Sequence, residues 1–178
     1  MHELDGCYSA RQLDLYRKFS VFGCTNLTSL SIPNSVTAVG ENAFENCTSL
    51  EYNEYGNAYY LGNSENLCVV FVKVKFADIT MCTLNENTKI IYDNAFKGCE
   101  HLVALTLPSG LRQIGCRAFV GCVRLFNMTV PSSVEIIRDY AFDGCHNLTI
   151  ACEAEKAPEG WSDYWNYTNC NVEWGYKG

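Results

Sequence analysis

Eleven cysteines and three histidines are the residues of this chain best suited to chemistry. The cysteines stand at 7, 24, 47, 68, 82, 99, 116, 122, 145, 152 and 170, and His101 and His146 lie close behind Cys99 and Cys145. A thiol beside an imidazole suits nucleophilic catalysis, and the same pair can ligate zinc. The spacing supports neither use. No Cys-x-x-Cys occurs, and no acid recurs to orient the imidazole. Gly-x-Ser-x-Gly, His-Glu-x-x-His, phosphate-loop and dinucleotide-loop patterns are also missing. The chain is therefore read as a non-enzyme, with no catalytic, cofactor-binding or metal-binding residue and no cofactor.

The cysteines mark a period instead. Cys24 and Cys47 are 23 residues apart, as are Cys99, Cys122 and Cys145. A fixed spacing of this length is the mark of a repeat architecture. Residues 27–47 read LTSLSIPNSVTAVGENAFENC, 102–122 read LVALTLPSGLRQIGCRAFVGC, and 125–145 read LFNMTVPSSVEIIRDYAFDGC. Leu27, Leu102 and Leu125 open the units, and Leu30, Leu105 and Met128 follow. Pro33, Pro108 and Pro131 share a column. So do Val36, Leu111 and Val134, then Ala43, Ala118 and Ala141, and Phe44, Phe119 and Phe142. A degenerate fourth copy, residues 79–99, keeps Ala95, Phe96 and Cys99, while Asn85 replaces the proline and Cys82 fills the Leu30 column.

These units must position whatever function the chain has. Alternation in Leu30-Ser31-Ile32 predicts a half-buried strand that the following proline stops. Each unit is too short to bury its own apolar face, so copies stack and like residues pack on like. Phe44, Phe96, Phe119 and Phe142, with Cys47, Cys99, Cys122 and Cys145, are expected in the core. Stacked strands come within reach of a disulfide. Side chains in a parallel ladder nevertheless point alongside one another, so the cysteine column is read as buried thiols. The repeat leaves Cys7, Cys68, Cys116, Cys152 and Cys170 unexplained.

The proline turn, the Ala-Phe-x-x-Cys ending and the 23-residue period resemble the BspA-like, or Treponema-type, leucine-rich repeat. The resemblance covers about residues 27–152. It implies an α/β, β-rich, right-handed leucine-rich-repeat solenoid. It also implies a surface or secreted protein associated with adhesion to host proteins and cells, with no catalytic residues to carry over. Localisation is thus expected to be extracellular or at the cell surface, although Met1-His2-Glu3-Leu4-Asp5 does not open a signal peptide.

Residues 1–178 are read as one domain: an N-terminal cap or eroded repeat over 1–24, repeats over 25–152 and a C-terminal cap over 153–178. Helical rhythm around Leu13, Leu15, Tyr16 and Phe19 suits the first cap. All three tryptophans, Trp161, Trp165 and Trp174, fall in the second. An insert of about 51–78 separates the units that end at Cys47 and Cys99. Within it, residues 57–61 and 67–74 read as a hairpin around Gly62-Asn63-Ser64-Glu65-Asn66. The second strand is almost continuously apolar and should be covered on both faces.

Composition narrows the partners. The chain of 178 residues is 48% hydrophobic, which excludes disorder. Its net charge of −7 and lack of a basic run argue against nucleic acid. No apolar stretch is long enough for membrane insertion. A protein ligand, host or surface-derived, is expected. Tyr52, Tyr55, Tyr59 and Tyr60 of the insert, and the outward column Ser31, Thr83, Thr106 and Thr129, are the candidate contacts. Packing of the tyrosines and simple solvation of the hydroxyls are the competing readings. Carbohydrate stacking on the C-terminal aromatics, or a spacer with no ligand, are the alternative functions.

Overall fold

In Ala104-Leu105-Thr106 only Leu105 is buried, and in Asn127-Met128-Thr129-Val130 only Met128 and Val130 are. This period-two burial makes each unit's first strand half-buried, and parallel stacking follows because every unit repeats it. The structure is a computed structural model that describes residues 18–19 and 21–178. Its strands are β1 (Lys18–Phe19), β2 (Ala38–Val39), β3 (Asn53–Tyr55), β4 (Ala58–Leu61), β5 (Val70–Val74), β6 (Met81–Thr83), β7 (Ile90–Ile91), β8 (Ala104–Thr106), β9 (Gln113–Ile114), β10 (Asn127–Val130), β11 (Ile136–Ile137), β12 (Thr149–Cys152) and β13 (Asn171–Trp174). Strands β6, β8, β10, β12 and β13 form one parallel sheet. A second sheet runs β11-β9-β7-β5-β4-β3, parallel up to β5 and antiparallel beyond it. The result is a β-rich leucine-rich-repeat solenoid, and the described residues contain no helix.

Two residues per unit explain why Ala-Phe-x-x-Cys does not wind into a helix. The residue before the alanine has positive φ in Asn42, Asn94, Arg117 and Tyr140. The residue before the cysteine does so too: Gly23, Asn46, Gly98, Gly121, Gly144 and Asn169 lie between +59° and +79°. A left-handed residue every four positions interrupts α-helical propagation, and glycine or asparagine tolerates it best. The chain instead makes successive three-residue turns. The amide of Cys122 donates to the Phe119 carbonyl at 3.1 Å, and that of Leu125 to the Cys122 carbonyl at 3.1 Å.

Between the sheets runs a stack of rings. Phe71 lies on Phe96 at 4.7 Å, Phe96 on Phe119 at 5.0 Å and Phe119 on Phe142 at 5.4 Å, all within 11° of parallel. Tyr60 closes one end edge-on at 5.2 Å and Trp165 the other at 5.9 Å. The cysteines zip neighbouring units together. Each Sγ donates to a carbonyl of the preceding unit: Cys122 to Phe96 at 3.3 Å, Cys145 to Phe119 at 3.1 Å and Cys47 to Val21 at 3.0 Å. A thiol is small enough for the core and still supplies a weak donor there.

The insert is a three-stranded meander rather than a two-stranded hairpin, because β3 pairs antiparallel with β4. Strand β5 supplies Phe71 to the ring stack on one face. On the other, Val70 and Val72 join a separate core with Ile32, Val39, Phe44 and Cys47. The early repeats therefore do not sit on the end of the main stack. They pack across the outward face of the second sheet. The backbone of Val39 is held there by a side chain: its N–H donates to Gln113 Oε1 at 2.9 Å, and its carbonyl accepts from Gln113 Nε2 at 3.1 Å and Arg138 Nη2 at 2.9 Å.

The C-terminal region is a further coil as well as an end cap. Strand β13 continues the first sheet in register, Thr149 opposite Asn171 and Cys152 opposite Trp174. Trp161 donates its amide to the Pro158 carbonyl, as Val134 does to Pro131. Cys170 is buried behind left-handed Asn169, like the other unit-ending cysteines. At the other end, the helical rhythm expected around Leu13, Leu15 and Tyr16 lies outside the described residues, as does Cys7. Lys18–Phe19 is strand, paired parallel with β2.

Truncating Phe119 to alanine should cost about 3–5 kcal/mol in urea unfolding. A loss below about 1 kcal/mol would contradict the ring stack. Gln113→Ala should leave the Val39 amide without its acceptor, at about 1–3 kcal/mol. Amide exchange at Val39 should accelerate far more than at Ile114, and equal protection at both sites would show that the side chain is not what holds the early repeats.

Candidate functional site

The first sheet turns two rows of residues outward. Direct register places Met81, Ala104, Asn127, Thr149 and Asn171 in one row. The other holds Thr83, Thr106, Thr129, Ala151 and Glu173. Apart from Met81 and Glu173 these are small or neutral polar residues. Neighbours in a row are about 4.8 Å apart, the spacing of paired strands. A shallow depression of about 660 Å³ crosses β8, β10, β12 and β13. Phe126 and Tyr176 give it aromatic lining, and Glu153 and Glu173 give it charge. Glu153 Oε2 accepts from the Ser132 amide at 2.9 Å, which fixes one carboxylate oxygen.

The structure brings Thr83, Thr106 and Thr129 together on this face but not Ser31. Ser31 is exposed elsewhere, bridged to Gly62 beside the insert. Its unit was displaced with the early repeats, so column membership did not carry it into the sheet. The tyrosines also separate. Tyr60 is fully buried and cannot meet a partner, its hydroxyl accepting from the Asn85 amide at 3.4 Å. Tyr52 and Tyr59 pack against the second core, 5.8 Å apart. Lys73 and Lys75 lie 5.7 and 5.5 Å from the Tyr59 ring. Only Tyr55 of the four is exposed, at 53%. Alternation along β4 decides this, since Tyr60 shares a face with Ala58 under the ring stack.

The tryptophans close on one another. Trp161 and Trp165 lie 4.9 Å apart and Trp174 packs 5.7 Å from Trp161. Trp161 is buried and its Nε1 donates to the Val134 carbonyl. Trp161 is thus enclosed by protein, Trp165 is half-buried, and Trp174 keeps 40% of its surface exposed.

The Cys-His neighbours point apart: Cys99 and Cys145 are buried, while His101 and His146 are exposed. Among the described residues nine cysteines are free thiols and Cys24 is disulfide-bonded. Burial pushes Cys82 and Cys99 up to about 11 and Cys152 up to about 12. Cys122 is raised by its hydrogen bond with Cys145 and by burial. These thiols stay protonated at neutral pH and make poor nucleophiles.

Residues that were not singled out in the sequence form the seam between the early repeats and the second sheet. Asp93 accepts from the Asn42 amide at 2.8 Å through Oδ2 and from the Cys116 amide at 2.7 Å through Oδ1. Burial pushes its carboxyl above the usual range, against those amides and Arg138, which favour the ionised form. Tyr92 accepts from the Phe44 amide at 2.9 Å. Gly115 leaves room for this, because a Cβ there would come 2.5 Å from Asp93 Oδ1. The available signal was that Tyr92, Gln113 and Arg138 break the repeat's outward columns with large hydrogen-bonding side chains.

Repeated coils stacked into parallel sheets, one of them exposed along its outer face, define a leucine-rich-repeat protein. The sequence profile described as the BspA type leucine rich repeat region matches residues 13–64 and 70–156 in six copies, and the chain belongs to this family. No curated protein matches it. Among solved structures it is similar to a leucine rich cell surface protein of Faecalibacterium prausnitzii A2-165. Identity is 24% and TM-score 0.55, over 85% of this chain and 48% of that one. It is also similar to the pneumococcal vaccine antigen PcpA, at 20% identity and TM-score 0.53, over 76% of this chain and 35% of the other. The chain thus spans half or less of the length of these structures, and the likeness is one of fold.

Thiol titration should show almost no fast reaction in the native protein at neutral pH, and at least the nine free thiols in denaturant without reductant. Rapid native labelling of Cys99 or Cys122 would contradict the packed cysteine column.

Proposed function

We propose that this chain is a non-enzymatic protein-binding module of adhesin type, in a protein displayed at the cell surface or secreted. It engages its partner with the outward face of the first sheet. The carrying observation is the pair of registered rows across five strands, which present side chains on a rigid lattice with no bulky residue between Ala104 and Asn171. Rigid scaffolds lose little entropy when they bind. The similar Faecalibacterium protein is a cell surface protein, which supports this setting. The insert is given a structural role instead of a binding one, since β5 contributes Val70, Phe71 and Val72 to two cores at once.

A photo-crosslinking residue introduced at Thr106 tests the surface, with the exposed turn position Lys97 as control. With solubilised cell-surface proteins, adducts should form from Thr106 and not from Lys97. Equal labelling from both positions, or none from Thr106, would overturn the assignment of this face.

A further inference from the structure

The charge of the depression is one-sided. Its lining includes Glu153 and Glu173 and not one lysine or arginine, in a chain whose net charge is −7. Both residues are exposed, and among the described residues the Glu173 carboxylate has no hydrogen bond and no ion pair. On the β8 and β10 side of them lie Thr106, Asn127 and Thr129, which can donate or accept hydrogen bonds, and the ring of Phe126, 63% exposed. Crossing four strands gives a length of about 14 Å, enough for four or five extended residues. The Tyr176 ring, 41% exposed, stands at the acidic end.

We infer that this depression takes an extended basic segment of the partner protein, laid across the strands with its cationic side chains toward Glu153 and Glu173. The inference rests on the sheet-face reading above and adds the chemistry of the partner. Aliphatic stems of lysine or arginine lie along Phe126 while their heads stay partly hydrated. One head meets Glu173, and the Tyr176 face offers a cation–π contact beside it. The threonine and asparagine rows pair with the peptide's backbone. Attraction between exposed charges is screened by salt, so recognition weakens as ionic strength rises.

The test uses three fluorescein-labelled hexapeptides, alternating threonine with lysine, glutamine or glutamate, read by anisotropy against the full chain. The lysine peptide should bind, the glutamine peptide more weakly and the glutamate peptide not at all. The double variant Glu153→Gln, Glu173→Gln should weaken lysine-peptide binding about three- to tenfold, the scale of two exposed ion pairs. The double variant Glu100→Gln, Glu159→Gln has the same net charge but lies outside the depression, and should bind like the parent. Equal weakening by both double variants would reduce the effect to bulk charge and overturn the inference. So would equal binding of the lysine and glutamine peptides. If that happens while Thr106 still crosslinks to protein, the basic partner is wrong and the sheet-face reading stands. If crosslinking fails as well, both fall.

Discussion

A strand buried on both faces has no solvent to fall back on. Val69 to Val72 are all buried, with Phe71 directed to one core and Val70 and Val72 to the other. Everything around them must then supply both apolar cover and backbone partners. The main stack covers one side and continues the ladder through β7. The early repeats cover the other side, and their only pairing with the meander among the described residues is the single parallel bridge of Ser31 to Gly62. Their polar backbone groups are met by side chains, with Gln113 imitating a peptide group for Val39 and Asp93 and Tyr92 receiving the amides of Asn42 and Phe44. The meander thus acts as the common wall of two stacks. An insertion that looks like an appendage in the repeat alignment is the element on which both cores lean.

The main stack was legible in the sequence because each column is restated in several copies. Phe96, Phe119 and Phe142 recur at one spacing, and one spacing of rings gives one stack. The double burial of the second insert strand was legible too, from its unbroken apolar run. The side-by-side arrangement was not. Ile90, Gln113 and Ile136 occupy a column that a lone solenoid leaves to solvent, so their variation reads as ordinary surface drift. The last coil was hidden by length: Cys170 comes 25 residues after Cys145, and its strand carries none of the leucines of the others. What survives in it is backbone conformation, the left-handed residue before the cysteine, which asparagine serves as well as glycine.

The candidate surface follows the same division. Thr83, Thr106 and Thr129 could be aligned from sequence because they belong to one uninterrupted stack. Ser31 has the same column number but sits in the other stack, and periodicity cannot report which coils are neighbours in space. The tyrosines of the insert lie outside any column. Alternation along β4 separates Tyr59 from Tyr60, and only the placement of two cores tells which of them is enclosed.

The docking of one stack on the other also bears on how such a chain can evolve. Repeat arrays commonly lengthen and shorten by unequal exchange of whole units, because each coil needs only its neighbours. Here Asp93, Gln113 and Arg138 come from three successive coils, and all three reach the segment between Val39 and Asn42. A unit gained or lost among those coils would set every contact one strand spacing out of place. The copy number of this part of the array is therefore held by geometry, and growth is tolerated only beyond β11, where no second stack keeps count.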